Sequence, residues 1–254
     1  SMFSSENLKA ELNTKFLGGE IICLPETSST NVSAWEYIQK GCMEGTLLTT
    51  DHQLEGRGRR QNKWVSATGK SLTFSFILYP QTNLDQFGLL PLLMGVSIVK
   101  GIQAAAYIQT GLKWPNDIML SRKKMGGILI ESKMISDRLA VVVGVGLNIN
   151  ETVPDFPIVL KDYATSLKIY SGEDHNRELI LAEILNEFEQ LYSNEWDSII
   201  PSWYKYCIHE DSQVSFHTEE GKCEGIFQGI SSNGHAEIII NGKPQTFPAG
   251  LIRL

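Results

Sequence analysis

Apolar and polar positions follow two different periods along this chain, and the period changes from segment to segment. Residues 176–196 place Leu179, Ile180, Ile184, Leu185, Phe188, Leu191 and Tyr192 at helical spacing, which predicts an amphipathic helix with one face in a core. Residues 84–109, rich in Leu, Ile, Val and Ala, predict a second long helix. Residues 71–79 alternate as a buried strand does, and 20–24 and 46–50 read as shorter strands. Two further apolar runs, 127–132 and 139–146, predict a hairpin joined by the polar segment 133–138. The first nineteen residues are polar and predict irregular chain or a short helix.

After Tyr206 the texture changes. Short strands are expected at 214–216, 224–227, 236–240 and 245–247. Between them stand the turn dipeptides Glu220-Gly221, Asn233-Gly234 and Asn241-Gly242. Such closely spaced strands predict a small β-barrel. The chain therefore divides into a larger domain, 1–206, and a small one, 207–254.

Composition narrows the function classes. With 42% hydrophobic and 20% charged residues the chain has the make-up of a globular enzyme rather than a disordered segment. A net charge of −7 argues against a whole-molecule DNA-binding role. Cys23, Cys42, Cys207 and Cys223 are scattered without metal-ligand spacing, so reduced thiols in the cytoplasm are expected. No signal peptide is visible, and the longest apolar region, 87–108, is broken by Gly88, Pro91, Ser97, Lys100 and Gln103, so no membrane association is expected. Ser1-Met2 reads as an addition ahead of a native start.

Against this acidic background the run Gly56-Arg57-Gly58-Arg59-Arg60-Gln61-Asn62-Lys63-Trp64 stands out. Its glycines permit close backbone approach, its arginines match phosphate and carboxylate oxygens, and Trp64 offers a flat face to a ring. Taken alone, such a run is more often a solvated loop. Three other segments add to it. In Lys113-Trp114-Pro115-Asn116-Asp117 the proline fixes the aim of Asn116 and Asp117, which suits magnesium, a ribose, an incoming amine or a plain turn. Lys124 precedes Gly126-Gly127 at the start of a strand, a way to bring an ammonium onto an oxyanion. The hydroxyl cluster Thr27-Ser28-Ser29-Thr30-Asn31 leads into a helical pattern, where it can cap the helix or leave backbone N–H groups for a ligand. The glycines of Val143-Gly144-Val145-Gly146-Leu147-Asn148 do not make a dinucleotide fingerprint, because Ile149 occupies the third glycine position and no helix follows.

Together these segments resemble the biotin–protein ligase (biotin–acetyl-CoA-carboxylase ligase) family. Ser29-Thr30-Asn31, Gln53, GRGRRQNKW, KWPND, KMGGILIE and VGVGLNIN occur in family order across residues 29–150. Each motif is weak alone, and the ordered series is specific. The resemblance implies an α+β fold of α/β layers, related to class II aminoacyl-tRNA synthetases, with a C-terminal SH3-like barrel. It implies adenylation of biotin by ATP with Mg2+, then transfer of biotin to a lysine of a biotin carboxyl carrier domain. Lys124, Arg59 and Asp117 are the implied catalytic residues, Asp117 assisting the acceptor amine. Ser29, Thr30, Asn31, Gln53, Gly56, Arg57, Gly58, Arg59, Lys124, Gly127, Gly144 and Gly146 are implied to hold biotin. Arg59, Arg60, Trp64, Lys113, Asn116 and Asn148 are implied to meet the nucleotide, with Asn116 or Asp117 available to magnesium.

The first strand starts so early that a type without an N-terminal DNA-binding domain is expected, as a monomer or homodimer. Two positions depart from the common pattern. Asn62 replaces a basic residue, and Gly126 stands where some members have alanine, an exchange expected to be benign. The rival activities are lipoate–protein ligase or octanoyltransferase, which lack the GRGRR loop, and a sensing module or repressor without catalysis, which the acidic charge and Lys124 oppose.

Overall fold

The structure, a computed structural model, describes residues 2–57, 63–64, 68–81, 84–209, 212–218, 220–248 and 251–253. Its centre is one large sheet built from β1 (Ile21–Leu24), β2 (Leu47–Thr50), β5 (Ser71–Leu78), β6 (Gly111–Lys113), β7 (Asp117–Leu120), β8 (Lys123–Ile135) and β9 (Arg138–Asn148). The strands lie in the order β1-β2-β5-β9-β8-β7-β6. The β1–β2 pair is parallel, and the remaining neighbours along this row are antiparallel. Two short strands, β3 (Gly56–Arg57) and β4 (Lys63–Trp64), pair with each other apart from the large sheet.

Strand periodicity decides what each face meets. Leu72, Phe74, Phe76 and Leu78 of β5 enter the main core with α3 (Leu90–Ala106) and α5 (Arg177–Ser193). Phe76 meets Phe188 of α5 edge-on, with ring centroids 4.9 Å apart. The opposite face is covered at one end by α2 (Thr30–Gln39), where Ala34 and Ile38 close over Leu48, Ile77, Tyr79, Ala140 and Val142. Beyond that cluster the same face turns to small and polar residues, among them Thr50, Thr73, Gly146 and Gly127.

Several sequence expectations shift at their edges. The 127–146 hairpin is longer at both ends, with only Ser136-Asp137 as its turn, at φ 50 and 65. Ser121-Arg122 makes the same turn between β7 and β8. Two-residue hairpin turns of this kind need positive φ twice, and Asn-Gly is their usual signal. Ser-Asp and Ser-Arg carry a weaker one, so the polar segment reads as a loop. The 84–109 helix is a 3-10 segment, Leu84–Leu89, followed by α3 with Pro91 in its first turn and Tyr107 as a left-handed cap. The 176–196 helix is α5, and the Asn176 side chain accepts from Leu179 N as its cap. The N-terminal segment forms α1 (Ser5–Glu11), capped by Ser4, while α4 (Leu167–Ser171) and α6 (Ile199–Tyr206) went unpredicted.

The C-terminal strands β10 (Gln213–Thr218), β11 (Gly221–Ile230), β12 (Ala236–Ile240) and β13 (Lys243–Phe247) pair antiparallel in sequence order. This small antiparallel sheet fits the SH3-like expectation, and among the described residues no pairing closes it into a ring. The division at 207 is not clean. The last strand, β14 (Leu251–Arg253), leaves the small sheet and pairs parallel with Ile130–Ser132 of β8. Val214, Phe216, Phe227, Ala236 and Ile238 share one core cluster with the large sheet. Gly234, at φ 86, fits against the backbone of Gly88 where any Cβ would overlap it.

Candidate active site

One register row crosses the large sheet beyond α2: Thr50, Thr73, Gly146, Gly127, Asp117 and Lys113, each paired with the next. Side chains aligned across neighbouring strands point to the same face. The two central positions are glycines, so the row is a trench with polar ends and a bare middle. A parallel row, Ser75, Gly144 and Leu129, runs beside it toward α2.

At one end the trench meets the start of α2. Ser29 holds the N-cap position in extended conformation, yet its side chain makes no cap bond. Instead Gln53 Oε1 accepts from Thr30 N at 2.9 Å, leaving the Gln53 amide nitrogen as a donor. Ser75 Oγ lies 2.7 Å from Thr30 Oγ1 and 2.6 Å from Asn31 Oδ1. Asn31 Nδ2 donates to Leu129 O (3.3 Å) and to Glu131 Oε1 (2.9 Å), and Trp35 Nε1 donates to the same Glu131 oxygen at 3.4 Å. The amide of Asn31 is therefore engaged on both sides within the protein. Gly144 makes room for it, since a Cβ there would overlap Asn31 Oδ1. Asn31 shapes the floor of the trench rather than offering its amide to a ligand.

Lys124 commands the other end. Its backbone is anchored to the segment before α4, donating from N to Tyr163 O (2.7 Å) and accepting at O from Thr165 N (2.9 Å). Its side chain runs beside Gly127, where an added Cβ would stand 3.5 Å from Lys124 Nζ. Lys124 Nζ also lies 3.0 Å from Asp117 Oδ1. Asn116 Nδ2 donates to Ile128 O and Asn148 Nδ2 to Thr165 O, and among the described residues both Oδ1 atoms are buried without a partner. Unsatisfied buried carbonyls are rare in folded proteins, and these two mark places for a ligand's donors or a cation.

The expectation that alanine at 126 would be benign is corrected. A Cβ on Gly126 would stand 2.6 Å from Gly146 O and 2.5 Å from Leu147 Cδ2, so the β8–β9 pair must shift to take one. Trp114, in the middle of the KWPND motif, is a structural peg. It is buried edge-on against Phe216 at 5.0 Å, and its backbone N donates to His209 Nε2 at 2.6 Å. Burial pushes His209 down to about 4, which keeps that acceptor nitrogen unprotonated.

The basic loop is described only at its base. Gly56 pairs with Trp64 and Arg57 with Lys63. Gly58, Arg59, Arg60, Gln61 and Asn62 lie outside the described residues. Asp51, where the chain leaves β2, is held by Arg177 Nη1 at 2.8 Å and Phe3 N at 3.0 Å, and Gly69 N returns to Asp51 O at 3.0 Å. Behind Asn148, Glu151 accepts from Ser71 Oγ and Ile149 N, both at 2.9 Å, and burial pushes it up to about 7. Among the described residues no three His, Cys, Asp or Glu side chains gather as a metal cluster. No disulfide joins the four cysteines.

Residues 23–148, which contain every strand of this trench, match the biotin/lipoate A/B protein ligase family. The bifunctional ligase/repressor BirA of Bacillus spizizenii is 37% identical over 236 residues, covering 91% of this chain and 73% of that protein. The chain belongs to the biotin/lipoate A/B protein ligase family. The biotin–protein ligase of Homo sapiens is 28% identical across 93% of this chain and 35% of its own length. Among solved structures, the biotin protein ligase from Aquifex aeolicus in complex with biotin and ATP superposes with a TM-score of 0.75 at 30% identity, covering 91% of this chain and 97% of that one.

Within this ligase-family frame, the fold brings Thr30, Gln53, Gly127, Gly144, Gly146, Lys124 and Asp117 to one face, with Asn116 next to Asp117 and Asn148 joined to Lys124 through Thr165. Three residues that build the site were not singled out from sequence: Thr73, Ser75 and Glu131. A signal was present for the first two. Ser71, Thr73 and Ser75 put hydroxyls on one side of a strand whose residues are all buried, and polar atoms in such a place need partners.

Proposed function

We infer that this chain is a biotin–protein ligase, which activates biotin with ATP and passes it to a lysine of a carrier protein. What carries the reading is the polarity of the trench. Gln53, Thr30 and Ser29 offer hydrogen-bonding groups at one end, Lys124 a cation at the other, and the glycines between them leave room for an apolar body. Biotin has that shape, with a cyclic urea head, an aliphatic middle and a carboxylate tail. Lipoate carries a dithiolane head that forms no strong hydrogen bonds, so the Gln53 end would be desolvated without return.

In the first step the biotin carboxylate attacks the α-phosphorus of ATP. A mixed anhydride, biotinyl-5′-AMP, forms and pyrophosphate leaves. Carboxylate and triphosphate repel one another by about 4 kcal/mol per pair of unit charges at 4 Å and an effective dielectric of about 20. Lys124 stands where it offsets that repulsion and the charge growing on the phosphate. Arg57, Arg59 and Arg60 supply further cations from the loop, Lys113 stands on the same row, and Trp64 offers a face to adenine. Asn148 Oδ1 suits adenine's exocyclic amine, because Thr165 already occupies its Nδ2. Magnesium would come with ATP, and the Asn116 carbonyl oxygen, buried without a partner among the described residues, is a hard oxygen donor that could hold it, where it would neutralise phosphate charge.

In the second step an acceptor lysine attacks the acyl carbon and AMP departs. A free lysine of pKa near 10.4 must first lose a proton, and Asp117 is the nearest carboxylate to the reacting end. Asp117 is held by Lys124 at rest, so it becomes available once Lys124 turns to the anhydride. The acceptor is the carrier domain of a biotin-dependent carboxylase, met in the cytoplasm. The test is ATP–pyrophosphate exchange with biotin, lipoate and octanoate offered separately. Exchange with biotin alone, lost in Lys124→Ala, is expected. Exchange with lipoate instead would move the chain to the sister activity.

A further inference from the structure

We propose that Thr73 is a substrate-contacting residue that accepts a hydrogen bond from the urea head of biotin and so helps select that acid. The inference rests on the ligase reading above and deepens it.

The hydroxyl of Thr73 is buried, the residue being 4% exposed, and among the described residues Oγ1 has no hydrogen-bond partner. Buried hydroxyls in folded proteins are nearly always bonded. Of the neighbours on its register row, Thr50 already gives its hydroxyl to His52 O, and Gly146 has no side chain. On the register Thr73 shares the trench face with Gly146, and its hydroxyl lies buried beside that bare position.

Its position places it at the head end. Ser75 shares its face of β5, two residues on, and touches both Thr30 and Asn31. Two residues of strand span about 6.8 Å, so Thr73 lies one strand repeat from the Ser75–Thr30 contact. Toward the tail, Lys124 runs beside Gly127, and Gly146 separates Gly127 from Thr73 on the row. Two other unpartnered side-chain oxygens among the described residues belong to Asn116, next to Asp117, and to Asn148, whose Nδ2 meets Thr165, the residue bonded to Lys124 O. The buried unmet groups thus mark the two ends of one ligand.

Counting donors and acceptors gives Thr73 its role. A cyclic urea presents two N–H donors and one carbonyl. Asn31 looked like one of its partners, but its amide is taken up by Leu129, Glu131 and Ser75. The carbonyl of Gln53 accepts from Thr30 N, so one of its two lone pairs is spent. The urea N–H groups then have the second lone pair of Gln53 Oε1, the uncapped Ser29 hydroxyl and Thr73 Oγ1 as acceptors, and of these Thr73 Oγ1 is the buried atom with no partner among the described residues. The ring sulfur is a weak acceptor and makes a poor alternative partner.

The experiment compares wild type, Thr73→Val and Thr73→Ser in the exchange assay, with biotin and with desthiobiotin, which keeps the urea but lacks the sulfur. Thr73→Val should raise KM for both acids about five- to ten-fold with kcat almost unchanged, as expected for loss of one neutral hydrogen bond. It should not lower the melting temperature, because the protein loses no internal bond. Thr73→Ser should keep the wild-type KM. Thr73→Ala is read in the same way where valine disturbs the fold. An unchanged KM in Thr73→Val, or a rise confined to biotin, would overturn the proposal. Absence of exchange by the wild-type protein would overturn the ligase reading and this inference with it.

Discussion

Lys124 Nζ stands 3.0 Å from Asp117 Oδ1, with both side chains partly open to solvent. The pair joins two strands that the register places side by side, and it ties the cation of the first half-reaction to the carboxylate nominated for the second. The two roles are separable by experiment. Asp117→Asn leaves Lys124 its charge, so biotinyl-5′-AMP formation should stay within about three-fold of wild type. Transfer to the acceptor lysine should fall by about 100-fold, the scale of a lost general base. Single-turnover assays of each step check this. Equal loss of both steps would assign Asp117 to magnesium or to structure.

Gly144 is required by Asn31 rather than by the ligand. A Cβ at 144 would overlap Asn31 Oδ1, and the strand pairing to Ser75 and Leu129 leaves the backbone little room to retreat. Gly144→Ala should cost about 1–3 kcal/mol of stability, as overpacking does, and raise KM for biotin by displacing α2. Denaturant unfolding and exchange kinetics read both effects. A variant with a wild-type KM would detach Asn31 from the biotin end of the site.

Glu151 makes stability depend on pH. Its pKa is raised by burial from the ordinary 4.5 to about 7, so folding favours the protonated form. Its contribution is full below pH 4.5 and is lost as pH rises through about 7. In Glu151→Gln the amide oxygen can still accept from Ile149 N and the amide nitrogen can donate to Ser71 Oγ. The difference in urea midpoint between the variant and wild type should therefore grow in the variant's favour from pH 4.5 to 7.5. A difference that stays flat over this range would mean that Glu151 titrates normally.

Trp114 couples the KWPND motif to the small sheet. Trp114→Ala removes its ring from between the large sheet and Phe216 and Phe227, which should cost about 3–5 kcal/mol. Because Asn116 and Asp117 follow directly, adenylation should weaken along with stability. Thermal unfolding and exchange at low temperature test the two consequences. Normal activity with a lowered melting temperature would confine Trp114 to holding the small sheet.

What could be read from sequence was whatever short-range pattern fixes. The 3.6-residue spacing of Ile180, Ile184, Leu185 and Phe188 determined α5, and alternation determined β5 and the long hairpin, because local side-chain burial dictates those periods. The ordered motifs likewise determined Lys124, Gln53 and the glycines as a set, since each motif carries its own backbone chemistry. Tertiary structure alone decided how the set is used. Whether Asn31 faces a ligand depends on Glu131, a hundred residues away, and no local pattern states that an amide is already spent. The row from Thr50 to Lys113 exists only through the register of five strand pairings, and a slip of one residue in any of them would turn its side chains to the other face. Thr73, hidden in a strand that reads as core, acquires a chemical role from that register, because only the folded sheet leaves its hydroxyl buried at the head of the trench without a partner among the described residues.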